Sequence, residues 1–326
     1  MLGNSCSKYG LSQVGLVLVF SAILSAASPF DGRWDIQVHD DARHRAWWLK
    51  IEGADTNTPK GEFVSAFDGN LNPIEELAIH GDELVFGFRP KSRMPGGENG
   101  ARHLIYKARL RNGKLEGTFR VEGQNGVPVH WTGVRAPQIP DRDNGNWRES
   151  ATAKLFNGRN LSGWHTQEPD RQGGWYIKDG VLASTGKVSN LVSDQKFWNF
   201  KLHLEFKVPP GSNSGVGLRA RYEVQIKEDY GKPPDTHSSG ALYSRIVPSK
   251  NVSKPAGEWQ SYDIRLVGRQ VTIALNGTTI IDKGEIDGLT AIASDPNEGE
   301  PGPISLQGDH GAVEFRNLSI TPLEKL

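Results

Sequence analysis

The chain has 326 residues, and 38 Lys and Arg balance 38 Asp and Glu, so it carries no formal net charge at neutral pH. It has no basic surplus to neutralise nucleic-acid phosphates or anionic lipid, so no nucleic-acid partner is expected, and a neutral or weakly charged one is. The length suits a targeting segment followed by two domains, each able to bury its own core.

The first 27 residues read as an export signal. Lys8 supplies positive charge, Val14 to Leu24 is apolar, and Ser25-Ala26-Ala27 places small residues at a cleavage site. The mature chain is expected to start near Ser28, in the periplasm or outside the cell. The apolar stretch is shorter than the ~20 residues a membrane span needs, and no later segment is apolar enough to cross, so no stable span is expected after cleavage. Cys6 is the only cysteine and precedes the apolar stretch. Its removal excludes a thiol nucleophile, thiolate metal sites and disulfides, leaving burial to hold the fold together.

Beyond Ser28 the pattern is period two with turn dipeptides between short strands, which predicts an all-β protein. In residues 28–136 the strand candidates include Arg33 to Val38, Ala46 to Glu52, Glu62 to Ala66, Glu83 to Arg89, Leu104 to Leu110 and Val129 to Arg135. Asn112-Gly113 suits the tight turn of a hairpin. Asn72 to Ile79 offers a short helical stretch. An antiparallel meander closing into a small barrel protects so many edges. The opening Asp31-Gly32-Arg33-Trp34 resembles the start of lipocalin-like barrels, and Trp34 is expected to plug one end of a packed barrel.

Residues 137–150, rich in Pro, Asp, Asn and Gly, read as a linker. Residues 151–326 hold further strand candidates: Trp175 to Ile177, Phe200 to Val208, Val216 to Ile226, Gly240 to Arg245, Gln260 to Val267, Gln270 to Leu275, Pro303 to Leu306 and Val313 to Ile320. Asp179-Gly180 and Asn276-Gly277 mark further hairpins. So many antiparallel strands predict a two-sheet sandwich of jelly-roll type.

Strand alternation through Arg219 to Ile226 would put Arg219, Arg221, Glu223 and Gln225 on one face and Ala220, Tyr222, Val224 and Ile226 on the other. The apolar face belongs in a core. The polar face is either a solvated ladder or the lining of a sugar-binding hollow. Asn213-Ser214-Gly215 lacks the spacing and the Lys of a phosphate loop. Gln307-Gly308-Asp309-His310-Gly311 sets a carboxylate beside an imidazole in a glycine-flanked bend, as a capping pair or as a converged catalytic pair. His203 falls on a charged, exposed face. No spaced histidine pair resembles a zinc site, and no Gly-any-Ser-any-Gly marks an esterase nucleophile. The sequence requires no cofactor and leaves open a divalent metal on oxygen ligands.

The second half resembles a known family, the bacterial 3-keto-disaccharide hydrolase domain, from Leu155 to Pro322. The matching pieces include Leu155-Phe156-Asn157-Gly158, Leu161-Ser162-Gly163-Trp164, Asn213-Ser214-Gly215, Glu223-Val224-Gln225-Ile226, Gly240-Ala241-Leu242-Tyr243, Leu306-Gln307, His310-Gly311 and Phe315-Arg316-Asn317, in that order. One departure is Glu258-Trp259-Gln260, where the family usually has Asn third. The resemblance implies a concanavalin-like jelly roll and cleavage of glycosides whose glucose ring carries a ketone at carbon 3. It does not cover the first domain.

Such a ketone acidifies the proton on carbon 2, so the site needs a base, donors for the enolate oxygen and an acid for the leaving oxygen. The candidates are Glu223 and His310 as base and acid, Arg219 for the developing charge, and Asn213, Gln225, Tyr243 and Gln307 for sugar hydroxyls. Arg221 and Asp309 complete the set, Arg221 also as a structural partner of Glu223. Flanked by two arginines, Glu223 is expected to be ionised and to suit the base. The competing expectation is a non-catalytic carbohydrate-binding module on the same fold.

Overall fold

A computed structural model describes residues 28–39, 41, 43–65, 69–89 and 103–326, together with Met1 and Gly3. Apart from those two residues, the expected export segment lies outside the described residues. Every regular element among them is a strand.

The described residues between 32 and 135 form nine strand segments: β1 (Gly32–Val38), β2 (Ala46–Glu52), β3 (Lys60–Val64), β4 (Leu71–Pro73), β5 (Glu76–His80), β6 (Glu83–Phe88), β7 (Leu104–Arg111), β8 (Lys114–Val121) and β9 (Val129–Arg135). Neighbours in sequence pair antiparallel, β9 returns to pair with β1, and the one break in the ring falls between β4 and β5. Only Ile74 and Glu75 separate those two segments, so the chain there leaves β3 and turns to β6 as a bent strand of a barrel-like meander. This replaces the helix expected over Asn72 to Ile79. Leu77 and Ile79 alternate with their neighbours in register with β6 and pack on the barrel core, a period-two burial that outweighs local helix preference.

The barrel is filled by rings. Trp47 lies 5.9 Å from Phe63, 5.7 Å from Tyr106 and 5.8 Å from Phe119, edge to face. Trp34 is fully buried, donates to the carbonyl of Phe30 at 3.0 Å and carries the Arg135 guanidinium 4.1 Å above its ring. The alternation of β2 sends Trp47, Leu49 and Ile51 inward, whereas Ala46 and Trp48 join the core of the second half. Trp48 sits so close to Gly288 that a Cβ there would lie 2.0 Å from the indole nitrogen, and the Arg245 guanidinium lies 4.3 Å over its ring.

The second half is a jelly-roll sandwich of antiparallel sheets. Its remaining strands are β10 (Trp147–Glu149), β11 (Ala153–Lys154), β12 (Trp164–Thr166), β13 (Trp175–Lys178), β14 (Val181–Ser184), β15 (Leu191–Phe197), β16 (Phe200–Lys207), β17 (Asn213–Leu218), β18 (Tyr222–Lys227), β19 (Gln260–Val267), β20 (Gln270–Leu275), β21 (Thr278–Glu285), β22 (Gly302–Leu306) and β23 (Val313–Lys325). One sheet runs β13-β14-β23-β16-β19-β20-β21, with β10 and β11 also on β23, and the other runs β12-β15-β22-β17-β18. Leu202, Leu204 and Phe206 of β16 and Val216, Val224, Ile226 and Ile304 of the smaller sheet share the core between them.

Two expected stretches differ. Arg219 and Ala220 are not strand residues but the turn between β17 and β18, both at positive φ (55° and 51°). Gly240 to Arg245 is a turn rather than a strand: it is bonded along β18 through the Gly240 and Tyr243 N–H groups and the Ala241 carbonyl, but Gly240 and Ser244 at positive φ break the extended run. The stretch read as a linker lies against the sandwich: Trp198 and Asn199 donate to Asp141 at 2.8 and 2.9 Å, and Arg265 pairs with Asp143 at 2.8 Å.

Candidate functional site

Strand β18 places Tyr222, Val224 and Ile226 in the core and Glu223 and Gln225 on the opposite face of the smaller sheet. The outer edge of β18 is met by the chain around Leu242 and Thr290. Tyr243 donates its backbone N–H to the Glu223 carbonyl at 2.9 Å, and the Glu223 N–H donates to the Thr290 hydroxyl at 2.9 Å. Glu223 ends at the floor of a pocket of about 230 Å³. This is below the roughly 300–1,000 Å³ of pockets for drug-sized ligands and suits a small one.

Glycine clears the space the carboxyl needs. Gly217 lies opposite Glu223 and Gly215 two residues along the same face. A Cβ on Gly215 would stand 2.5 Å from Glu223 Oε1. The carboxyl makes no hydrogen bond to the described residues, and burial pushes it up to about 8; the nearby His310 opposes this and Asp309 adds to it. At neutral pH Glu223 therefore keeps its proton, contrary to the ionised state expected of it.

The bend after β22 brings Asp309 and His310 to one side. Gly308 lies against Ser189, Val188 and Trp175, and Gly311 against Ser212, where a Cβ would come within 3.0 and 2.2 Å of those neighbours. Asn190 accepts from the Gly308 N–H at 2.8 Å, and the Gly311 N–H donates to the Asn213 carbonyl at 2.8 Å. With the bend so fixed, His310 Nδ1 lies 2.7 Å from Asp309 Oδ1. The hydrogen bond that the imidazole donates to Asp309 and the charge of that carboxylate hold the imidazole above its ordinary range, against burial and Arg43. Burial pushes Asp309 up, but the His310 hydrogen bond and the charges of His310 and Arg43 outweigh it and hold the carboxyl low.

Asn213, Tyr243 and Gln307 line the same pocket. Asn213 Oδ1 and Gln307 Oε1 are buried acceptors without a hydrogen-bond partner among the described residues. A sugar hydroxyl reaching either would relieve a desolvation cost of about 1–3 kcal/mol.

The other three sequence candidates lie elsewhere. Arg219 is fully buried behind the turn, 4.0 Å over Trp198, and donates to the carbonyls of Trp198 (2.7 Å) and Gly268 (3.0 Å) and to Asn199 Oδ1 (3.1 Å). Arg221 donates to the Glu300 carbonyl and Asp295 Oδ2, both at 2.6 Å, pinning the segment before β22. Gln225 is buried, and its Oε1 accepts from the Ile226 N–H at 3.1 Å. The alternation that grouped the two arginines with Glu223 fails because the strand begins only at Tyr222, whereas Gln225 does share the Glu223 face but not the pocket.

Sequence reasoning missed Gln167, Asn190, Ala291 and Ile292, and above all Arg43, Arg45 and Gly69 from the barrel. Their only signal was the charge-rich Asp40-Asp41-Ala42-Arg43-His44-Arg45 between two strands. Among the described residues no cluster of three or more His, Cys, Asp or Glu is placed to hold a metal, and no helix is long and apolar enough to cross a membrane.

Residues 151–321 match the 3-keto-alpha-glucoside-1,2-lyase-like domain family. A curated 3-keto-disaccharide hydrolase of Bacteroides thetaiotaomicron is 27% identical over 165 residues, which cover 39% of this chain and 57% of that protein. The chain thus spans little more than half the length of that relative. Two crystal structures of Parabacteroides distasonis proteins named as candidate glycosyl hydrolases are also similar. One is 22% identical with a TM-score of 0.44, covering 53% of this chain and 95% of the other; the second is 26% identical with a TM-score of 0.45, covering 61% and 94%.

Proposed function

Because the chain belongs to the family of 3-keto-alpha-glucoside-1,2-lyase-like domains, we propose that it is an exported carbohydrate-active enzyme cleaving 3-keto-glycosides or 3-keto-disaccharides. The observation that carries this reading is the pairing, in one pocket, of a carboxyl that keeps its proton at neutral pH with an imidazole held by a carboxylate. The two groups have complementary tasks.

His310 lines the pocket with its Nδ1 side engaged by Asp309, which leaves Nε2 to act as the base. It takes the proton from carbon 2, and the electron pair of that bond forms an enolate with the carbon 3 oxygen. The enolate collapses, restoring the ketone and forming a double bond between carbons 1 and 2. The bond from carbon 1 to the glycosidic oxygen breaks, and Glu223 protonates the departing oxygen. Water then adds its oxygen to carbon 1 and a proton to carbon 2, completing a net hydrolysis. Asn213, Gln307 and Tyr243 orient the ring hydroxyls. Arg219 has no part, since its guanidinium is fully buried and bonded to groups outside the pocket.

A binding module would gain most from an aromatic platform. Among the described residues that line the pocket, Tyr243 is the one Phe, Tyr or Trp, and its ring meets the edge of His237 at 4.7 Å. The purified protein is expected to release sugar from 3-keto-trehalose and 3-keto-glucosides and to leave their unoxidised parents intact, as followed by chromatography. Binding of both classes without turnover would overturn the enzyme reading. Within it, Gly215→Ala should lower turnover by about 100-fold, because the new methyl drives the Glu223 carboxyl off its position. Unchanged turnover in that variant would show that the position of Glu223 does not matter.

A further inference from the structure

The pocket is built by two parts of the chain, and only one of them falls within the family match, which begins at residue 151. Arg43, Arg45 and Gly69 belong to the barrel. Arg43 Nη1 donates to Asp309 Oδ2 at 3.2 Å, while the other oxygen of the same carboxylate meets His310 Nδ1 at 2.7 Å. The carboxylate is therefore held at both ends, by the barrel on one side and the imidazole on the other. Behind it, Glu168 lies 3.6 Å from Arg43 Nε and is itself paired with Arg171 at 3.2 Å.

A second set of bonds ties the same barrel turn to the same bend. The Arg43 carbonyl accepts from the Gln167 amide, Gln167 Oε1 accepts from Asn190 Nδ2 at 3.0 Å, and Asn190 Oδ1 accepts from the Gly308 N–H at 2.8 Å. On the opposite wall the barrel holds the turn that carries Tyr243. The Leu71 N–H donates to the Ser244 hydroxyl at 2.7 Å, and Asn70 Oδ1 lies 2.8 Å from His237 Nε2.

We propose that the N-terminal barrel is a working part of the active site, with Arg43 a positioning residue that aims His310 through Asp309. The proposal rests on His310 being the base in the reading above. It gives the barrel a role that the family match does not supply, and it implies that the jelly roll alone carries an incompletely oriented imidazole.

The test uses the full chain. The groups facing His310 are Asp309 on its own bend, Glu223 from β18, and Arg43 and Arg45 from the barrel, with Glu168 behind Arg43. Arg43 disfavours the imidazolium, so Arg43→Ala should move the NMR titration of the His310 ring to higher pH. It should also lower kcat/KM on a 3-keto-glucoside by about 10- to 100-fold, mainly through kcat. Arg43→Lys keeps the charge without the fork and should restore most of the titration but only part of the rate. Arg43 is partly exposed, and circular dichroism checks that both variants fold. An unmoved His310 titration with unchanged kcat/KM in Arg43→Ala overturns the proposal. A wild type that turns over no keto-glycoside overturns the reaction instead, and the titration shift still reports whether Arg43 controls His310.

Discussion

Glu223→Gln is expected to lose most activity and gain stability. The amide keeps the shape of the protonated carboxyl but has no proton to give, so kcat on an alkyl 3-keto-glycoside should fall by about 10²- to 10⁴-fold. The loss should shrink for a 4-nitrophenyl 3-keto-glucoside, whose leaving group departs without protonation, whereas His310→Ala should suffer equally with both. In the wild type the reaction should fade above about pH 8 as Glu223 ionises, and the variant should lack that limb. The stability gain follows from the same burial. Between the ordinary value of 4.5 and about 8 the folded chain retains a proton that the unfolded chain has released, so folding grows less favourable as pH rises through that window. Gln has nothing to ionise, and removing that cost is worth up to about 3 kcal/mol at pH 7. Calorimetry of the two proteins at pH 5 and pH 7 measures it. A variant less stable than wild type at pH 7, or as active, contradicts the assignment.

Arg269→Ala is expected to cost about 3–5 kcal/mol, the usual penalty for breaking a buried ion pair from one side. Arg269 Nη2 donates to Glu298 Oε2 at 2.6 Å, the Tyr222 hydroxyl donates to Glu298 Oε1 at 2.7 Å, and neither charged group reaches solvent to any extent. The barrel side of this seam is Asp35, which shares the outward face of β1 with its partner Trp48 on β2. Neither Asp35 oxygen finds a hydrogen-bond donor among the described residues. Burial first, and then the Glu298 charge, push it up to about 9. Asp35 should thus make the fold less stable as pH rises from about 4 to about 9, and Asp35→Asn should flatten that slope and stabilise the protein at neutral pH. Urea titrations of the three proteins across that range are the measurement. An Arg269→Ala protein as stable as wild type would mean that solvent reaches the seam.

The β architecture was readable because it rests on short-range signals. Alternation through Phe200 to Lys207 and the Asn112-Gly113, Asp179-Gly180 and Asn276-Gly277 turns decide local structure by themselves, and the strands formed where those signals stood. The pocket depends on contacts far apart in the chain. Glu223, Asn213, Tyr243, Gln307, Asp309 and His310 come together there, all within the part that matches the family. Arg219 and Arg221 were misplaced because a tight turn with two residues at positive φ carries no glycine or asparagine in this sequence. With the strand starting three residues later than alternation implied, both guanidinium groups went to oxygen acceptors outside the pocket. Arg43 reaches Asp309 across 266 residues of chain, a contact that no spacing rule anticipates.

That misplacement changes the chemistry as well as the geometry. Two arginines beside Glu223 would have made it a base. Their absence from the pocket leaves burial to decide its protonation, and in the proposed reaction the base is instead His310, with Asp309 bonded to its Nδ1.

Proton abstraction from carbon 2 is the step on which the roles of both residues depend. Its most direct measurement compares kcat/KM for a 3-keto-glucoside carrying deuterium at carbon 2 with that for the unlabelled compound, and follows the label. A primary isotope effect in the wild type, with deuterium lost to solvent during turnover, is the expected result. Equal rates for the two substrates, with the label kept in full in the product, would mean that carbon 1 is attacked directly and would contradict the assignment of His310 as base.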